Sequence, residues 1–308
     1  MRSAIGVALA LGLVAAAACA SRPVDGPRPP PVTATQAVDH PGLGHVVAFT
    51  AGICSGAAPE GDDGFDALVA LGFRTVLSVD GARPDLPRAH ARGLRYVHLP
   101  IGYDGIDEAR GLAIARAVRD LPGPIYIHCH HGRHRSAAAA GVAGVTLGHL
   151  TPDQAGARMA VSGTSPSYPG LHRCVALARP AARRVDTASA DFPETWASTG
   201  TVDSMVAIDD AFDRLKACAQ AGWTAPLDHA DLVPAAEAGR LADLLRDLAA
   251  HDESLGRGDA FRRDLREAQE HASRLETALV DGAGAAEASR RLRLVAESCT
   301  ACHARHRD

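Results

Sequence analysis

Apolar and polar positions follow two different rhythms along this chain. From about residue 42 to 180, short runs dense in Val, Ile and Leu are separated by longer segments with helical spacing. HVVAFTAGI, RTVLSVD, RYVHLP and PIYIHC read as buried strands. DGFDALVALG, DEARGLAIARAVRD at 107–120 and Ala-rich segments near 135–148, 152–161 and 169–178 read as helices. Strands alternating with helices at this spacing predict an α/β fold: a mainly parallel sheet flanked by helices.

Beyond residue 200 only the helical period remains. Met205, Ile208, Phe212 and Leu215 form one apolar stripe, and Ala238, Leu241, Leu245 and Leu248 a second. Phe261, Leu265, Ala268, Ala272, Leu275 and Leu279 form a third, and Ala288, Leu292, Val295, Cys299 and Cys302 a fourth. Four amphipathic helices joined by short turns predict an all-α antiparallel four-helix bundle. Pro-rich residues 20–41 and the stretch 181–200 lack periodicity and read as linkers. The expected organisation is a leader over 1–19, an α/β domain over 42–180 and a helical domain over 201–308.

Composition narrows the function. Net charge is −4, with 22% charged residues, so no basic excess points to nucleic acid. MRSAIGVALALGLVAAAACAS has an early Arg2 and an apolar run ending in small residues, as an export signal does. Cleavage near Ala20 gives a free exported protein, and lipoprotein processing at Cys19 gives membrane anchoring through lipid. Either route places the protein in a periplasm or outside the cell. The seven cysteines are too sparsely spaced for a disulfide framework.

The stretch HCHHGRHRS, 128–136, follows the most strand-like run and precedes an Ala-rich helix. Cys129 and Arg135 frame five residues, and Ser136 follows. A loop closing onto a helix start turns successive backbone N–H groups inward and makes an anion nest. Those dipoles and a guanidinium favour a cysteine thiolate at neutral pH. Arg135 can grip two phosphate oxygens, Gly132 supplies backbone freedom, and Ser136 can donate a hydrogen bond to the sulfur. His130, His131, Arg133 and His134 add donors and positive charge around the rim, which suits a strongly anionic substrate. A zinc cluster from these imidazoles competes, but ligands so crowded in one loop converge poorly on a tetrahedron. A rhodanese-type sulfur carrier also places a cysteine in a loop, though His128 before it and Arg-Ser after it favour phosphate chemistry.

The residues HCHHGRHRS resemble the phosphate-binding loop of the cysteine-dependent phosphatases, especially the dual-specificity protein tyrosine phosphatase branch. ICSGAAPEGDDGFDALVALGFRTVLSVD upstream is similar to that branch's opening turn, helix and strand. The resemblance implies that Cys129 attacks phosphorus, that Arg135 clamps the phosphoryl group and that a phosphocysteine forms. It also implies a general acid in the connection YVHLPIGYDGIDEAR. Asp104 is the expected acid and Asp107 the alternative, with an N-cap as the competing reading of Asp107. Asp80 and Asp85 are outside candidates. His128 is expected to order the loop, and Ser165 and Tyr168 either line the rim or form a simple turn. A protective disulfide between Cys54 and Cys129 is a further expectation.

CTACH at 299–303 is the C-x-x-C-H attachment pattern for c-type haem: Cys299 and Cys302 for the thioethers, His303 for the iron. A dithiol redox motif is the rival, but its βαβ context is missing. Four amphipathic helices ending in CTACHARHRD resemble the cytochrome c′/c556-like haem domains. That likeness implies one covalent haem c and, in six-coordinate members, a methionine ligand where Met205 stands. Met205 also lies on an apolar stripe, so core packing remains open, with a five-coordinate iron accessible to gases in that case.

Together these readings predict an exported phosphatase acting on a phosphorylated protein or small anionic phosphoester, carrying a haem domain with a redox partner or gas ligand. One alternative is a haem electron-transfer or gas-binding protein whose front domain only binds phosphorylated ligands. Another is an inositol phosphate or phosphoinositide phosphatase.

Overall fold

The computed structural model describes residues 28–196, 201–227 and 229–306. The expected leader and Cys19 lie outside them. The first part runs β1 (Val38–His40), β2 (Leu43–Thr50), β3 (Ile53–Ala57), α1 (Gly61–Ala70), β4 (Thr75–Ser78), α2 (Leu86–His90), β5 (Arg95–His98), α3 (Glu108–Asp120), β6 (Ile125–Cys129), α4 (Arg135–Thr146), α5 (Pro152–Val161), α6 (Pro169–Leu177) and α7 (Ala182–Thr187). The second runs α8 (Thr201–Gln220), α9 (Pro234–Ala250), α10 (Asp252–Gly256), α11 (Asp259–Val280) and α12 (Ala285–His306).

The strands form one mixed sheet in the order β1-β2-β3-β6-β4-β5. β3, β6, β4 and β5 are parallel, and β1 and β2 add an antiparallel edge. Alternation puts successive side chains on opposite faces. Val76, Tyr96 and Tyr126 therefore face α1 and α2, while Leu77, Val97 and Ile127 face α3 and α4. All of α4 is buried, between β3 and β6 on one side and α3, α5 and α6 around it. Its alanines and glycines let these elements approach closely. A bulky residue at Gly141, already in contact with Val175 and Ala155, would separate them.

The four expected amphipathic helices are present as α8, α9, α11 and α12, with the five-residue α10 in addition. Neighbouring pairs are α8 with α9, α9 with α11, α11 with α12, and α12 with α8. Their shared core includes Ile208, Leu241, Leu245, Phe261, Leu275 and Val295. α9 belongs to both regions, because Ala235 and Ala236 join the apolar cluster of the sheet. Among the described residues no helix is long and apolar enough to cross a membrane.

Residues 181–196, read from composition as a linker, are ordered against the sheet. They form α7 and then a strap along β5. His98 N–H donates to the Pro193 carbonyl at 2.8 Å, and Arg95 reaches Glu194 and the Phe192 carbonyl. Trp196 packs beneath the Arg110 guanidinium, 4.1 Å from ring centre to carbon. The segment covers the outer strand's edge, which would otherwise leave backbone donors unpaired.

Candidate functional sites

Cys129 is the last residue of β6, at the sheet centre, and α4 starts at Arg135. The intervening loop thus opens at the carboxyl ends of parallel strands, where ligand crevices form in such sheets. Gly132 has φ of +73°, and the Gly56–Ala57 backbone occupies the place a Cβ would take. Only glycine closes this turn. Cys129 Sγ lies 3.4 Å from Ser136 Oγ, within hydrogen-bond reach for sulfur. The loop brings Cys129 and Ser136 within reach of each other, with Gly132 at its turn and Arg135 at the head of α4.

The turn at 163–168 does more than punctuate the chain. Thr164 Oγ1 donates to the Arg133 carbonyl at 2.6 Å, and Ser165 N–H donates to His134 Nδ1. An accepting Nδ1 requires a neutral imidazole protonated on Nε2. Tyr168 is fully buried, its ring against both His134 and Tyr103. Its hydroxyl donates to Glu276 Oε1 of α11 at 2.9 Å.

The expected cationic rim of histidines is corrected by burial. Desolvation dominates at each ring, pushing His130 and His134 down to about 3 and lowering His131. These imidazoles are neutral at physiological pH, and offer hydrogen bonds without charge. His128 is likewise pushed to about 4, chiefly by burial, and pairs with the Tyr96 hydroxyl. Arg133 is the exposed member of the loop.

Arg135 is 2% exposed and sits in a dense ion network. Its Nη2 donates to Asp80 Oδ1 at 3.2 Å, its Nη1 donates to Asp243 Oδ2 of α9, and its guanidinium lies 4.3 Å over the Tyr103 ring. Arg246, one turn along α9, donates from Nη2 to Asp80 and Asp243, both at 2.7 Å. Burial alone would raise Asp80, but the Arg246 and Arg135 guanidiniums overcome it and hold the carboxyl well below its usual range. Asp80 is therefore ionised and has no proton to give. Glu276 behaves oppositely: burial and then the Asp243 charge raise it to about 7.

Asp104 is exposed and its carboxylate folds back over Gly102. It lines a surface cavity of about 1170 Å³ with Asp107, Arg110, Arg173 and Cys174, which residues 129–136 do not border. Asp107 caps α3, accepting from Arg110 N–H at 2.9 Å. Asp243, Arg246 and Glu276 were missed by sequence reading. Their one signal is polarity at helix positions next to the apolar stripes, which is also how a solvated face looks.

The expected Cys54–Cys129 bridge is ruled out by register. Ala57 pairs with Cys129 and Cys54 with Tyr126, so the cysteines stand three residues apart along the sheet, roughly 10 Å, and on opposite faces. Cys54 is a buried thiol, raised to about 12 by desolvation.

A second cavity, of about 730 Å³, opens among α8, α9, α11 and α12. Cys299, Cys302 and His303 border it from α12, and Met205 borders it from α8. Ile208, Leu241, Leu245 and Phe261 give it apolar walls. Two thiols, an imidazole and a thioether around one apolar space fit the donor set of a covalent haem c. The volume also lies within the roughly 300–1,000 Å³ of ligand-holding clefts and cavities. Asp264, Cys302 and His306 also bring ligand atoms within 4.8 Å of one another. Asp264 is already paired with Arg305 and His306, at 2.9 and 2.8 Å, which reads as a surface ion cluster.

No family model matches the sequence, and no curated protein matches it. Solved structures do. TpbA of P. aeruginosa shares 24% identity over 46% of this chain and 87% of that one, with a TM-score of 0.38. A TpbA variant in complex with pTyr shares 25% over 49% and 91%, at 0.37. The core catalytic domain of the S. cerevisiae PP-IP phosphatase SIW14, in complex with citrate, shares 14% over 49% and 94%, at 0.39.

Proposed function

We propose that the protein is a cysteine-dependent phosphatase that hydrolyses phosphomonoesters, joined to a helical region that holds one haem c. The observation that carries this reading is the loop itself: Cys129 ends the central strand, Ser136 Oγ stands 3.4 Å from its sulfur, and Arg135 opens the helix beyond. An anionic phosphoester substrate is consistent with one neighbour's complex with pTyr and another's description as a PP-IP phosphatase.

The chemistry follows from the geometry. Backbone N–H groups of the loop and the start of α4 hold phosphate oxygens, and Arg135 neutralises them. Cys129 Sγ forms a bond to phosphorus as the ester P–O bond breaks. A carboxyl gives the departing oxygen its proton, and a water then attacks phosphorus, returning a proton to that carboxylate as the S–P bond breaks. Ser136 stabilises the sulfur as it leaves. Asp104 is the acid in this scheme, since Asp80 is held ionised and Asp107 is committed to capping α3. Its exposed position calls for the loop around it to swing over bound substrate.

We assign α8, α9, α11 and α12 as a four-helix haem bundle. Cys299 and Cys302 would carry the thioethers, and His303 and Met205 would offer donors to the iron. A bound haem would supply redox and gas-binding chemistry, and the apolar residues around it would exclude water. Export, as residues 1–19 read, would put the protein in the compartment where such haems are attached.

Hydrolysis of p-nitrophenyl phosphate by the purified full chain tests the enzyme. Turnover that disappears in Cys129→Ser supports it. Equal rates in both proteins, or none in either while phosphate still binds, would leave a phosphate-binding haem protein instead.

A further inference from the structure

α9 carries two opposed faces. Leu241 and Leu245 line the 730 Å³ cavity, while Gly239, Asp243 and Arg246, about half a turn away, face the catalytic loop. Gly239 lies against the Tyr103 ring, and Gly81 is so close to Asp243 that a Cβ there would come within 3.1 Å of it. Around these two glycines the helix thus packs closely on Tyr103 and on the turn after β4, and Asp243 reaches Arg135 beside them.

The polar groups at this contact are matched as a substrate would match them. Arg135 must turn its guanidinium to a phosphoryl group, yet one of its Nη groups is taken by Asp243 and the other by Asp80. The Asp243 carboxylate bridges two guanidiniums, Arg135 and Arg246, as two oxygens of a phosphate would. Arg135 Nε and Arg246 Nη1 are buried with no hydrogen-bond partner among the described residues. Arg135 and Arg246 share two carboxylates, Asp80 and Asp243, and each keeps a donor unmatched, so the pair suits an anion with more acceptor oxygens. Cys129 itself is only 3% exposed.

We propose that Asp243 is a built-in stand-in for substrate phosphate: α9 closes the phosphatase site by giving its catalytic arginine an internal anion, and phosphoester must displace that carboxylate to be bound. This rests on the phosphatase reading above. Arg246 then remains as a second guanidinium facing the incoming phosphoryl group. Burial first, and then the Arg246 charge, lower the His130 and His131 imidazoles, so Asp243 faces guanidiniums rather than imidazolium rings.

Inorganic phosphate tests the proposal independently of turnover. Titrated calorimetrically into the full-length, haem-loaded protein, it should bind Asp243→Asn about tenfold or more tighter than wild type. kcat/KM for p-nitrophenyl phosphate should rise in the same direction. Circular dichroism checks that the variant is folded, and Asp243→Ser is the substitute if it is not. Equal or weaker phosphate binding by the folded variant overturns the proposal, as does no phosphate binding by either protein. In the wild type, phosphate should speed amide exchange over 234–250, and unchanged or slower exchange there would also overturn it. Turnover that depends on Cys129 while phosphate affinity ignores Asp243 would sink the internal anion and leave the phosphatase standing.

Discussion

Arg135 and Asp243 stand 108 residues apart in the chain and form a buried ion pair across the two regions. The guanidinium that opens the helix behind the catalytic loop is held by a carboxylate from a helix whose other face lines the candidate haem cavity. Removing one member of a buried pair leaves the other charge uncompensated, so a change at either residue is expected to reach both regions.

The acid is tested by its two candidates. Asp104→Asn is expected to lower kcat by about 10²-fold or more, since a positioned acid contributes that much. Asp107→Ala should leave kcat within a few-fold and cost about 1 kcal/mol through the lost cap of α3. Steady-state kinetics on an alkyl phosphate, whose leaving group needs a proton, reads the difference.

The buried imidazoles set an acid limit to stability. His128, His130 and His134 titrate at about 4, 3 and 3 when folded, against an ordinary value of 6.5. Below pH 6.5 the unfolded chain therefore binds protons that the folded one refuses, and stability falls as pH drops toward 4. Glu276 opposes this: its folded value of about 7 lies above the usual 4.5, so its contribution is present at low pH and lost as pH rises through 7. Three imidazole protons outweigh one carboxyl proton. Urea midpoints should be lower at pH 5 than at pH 7, and a higher midpoint at pH 5 would contradict this.

Tyr168→Phe should destabilise by about 1–3 kcal/mol, because Glu276 loses its 2.9 Å donor in a buried setting. The rings of Tyr103 and His134 keep their apolar contacts, so packing loss is small. Chemical denaturation provides the value. No change would mean water or Tyr103 serves Glu276 equally well.

The haem assignment predicts an absorption band that survives denaturing electrophoresis, as covalent attachment requires. Cys299→Ala with Cys302→Ala should lose it. Met205→Ala should shift the spectrum if the sulfur is a ligand, and leave it alone if Met205 only packs beside Ile208 and Phe212.

Much of this arrangement was legible in the sequence because it is local. Val76, Leu77, Ile125 and Ile127 announce buried strands by composition, and Cys129, Gly132, Arg135 and Ser136 define a loop whose parts are neighbours in the chain. Asp107 announced its cap in the same way. Long-range pairings were not legible. Nothing in the spacing of Asp243 or Arg246 distinguishes a helix face turned to solvent from one seated on a distant loop. The strap at 188–196 was hidden because its partners on β5, Arg95 and His98, lie nearly a hundred residues away in the chain, and local spacing does not record such pairings. Histidine count suggested charge, and burial removed it.

The most direct measurement of the central claim is a rapid acid quench of the enzyme during turnover, followed by mass spectrometry of the peptide spanning residues 124–147. The account predicts a phosphoryl group on Cys129, absent from Cys129→Ser. Turnover with an unmodified Cys129, or with the phosphoryl group on His130 or His131, would contradict it.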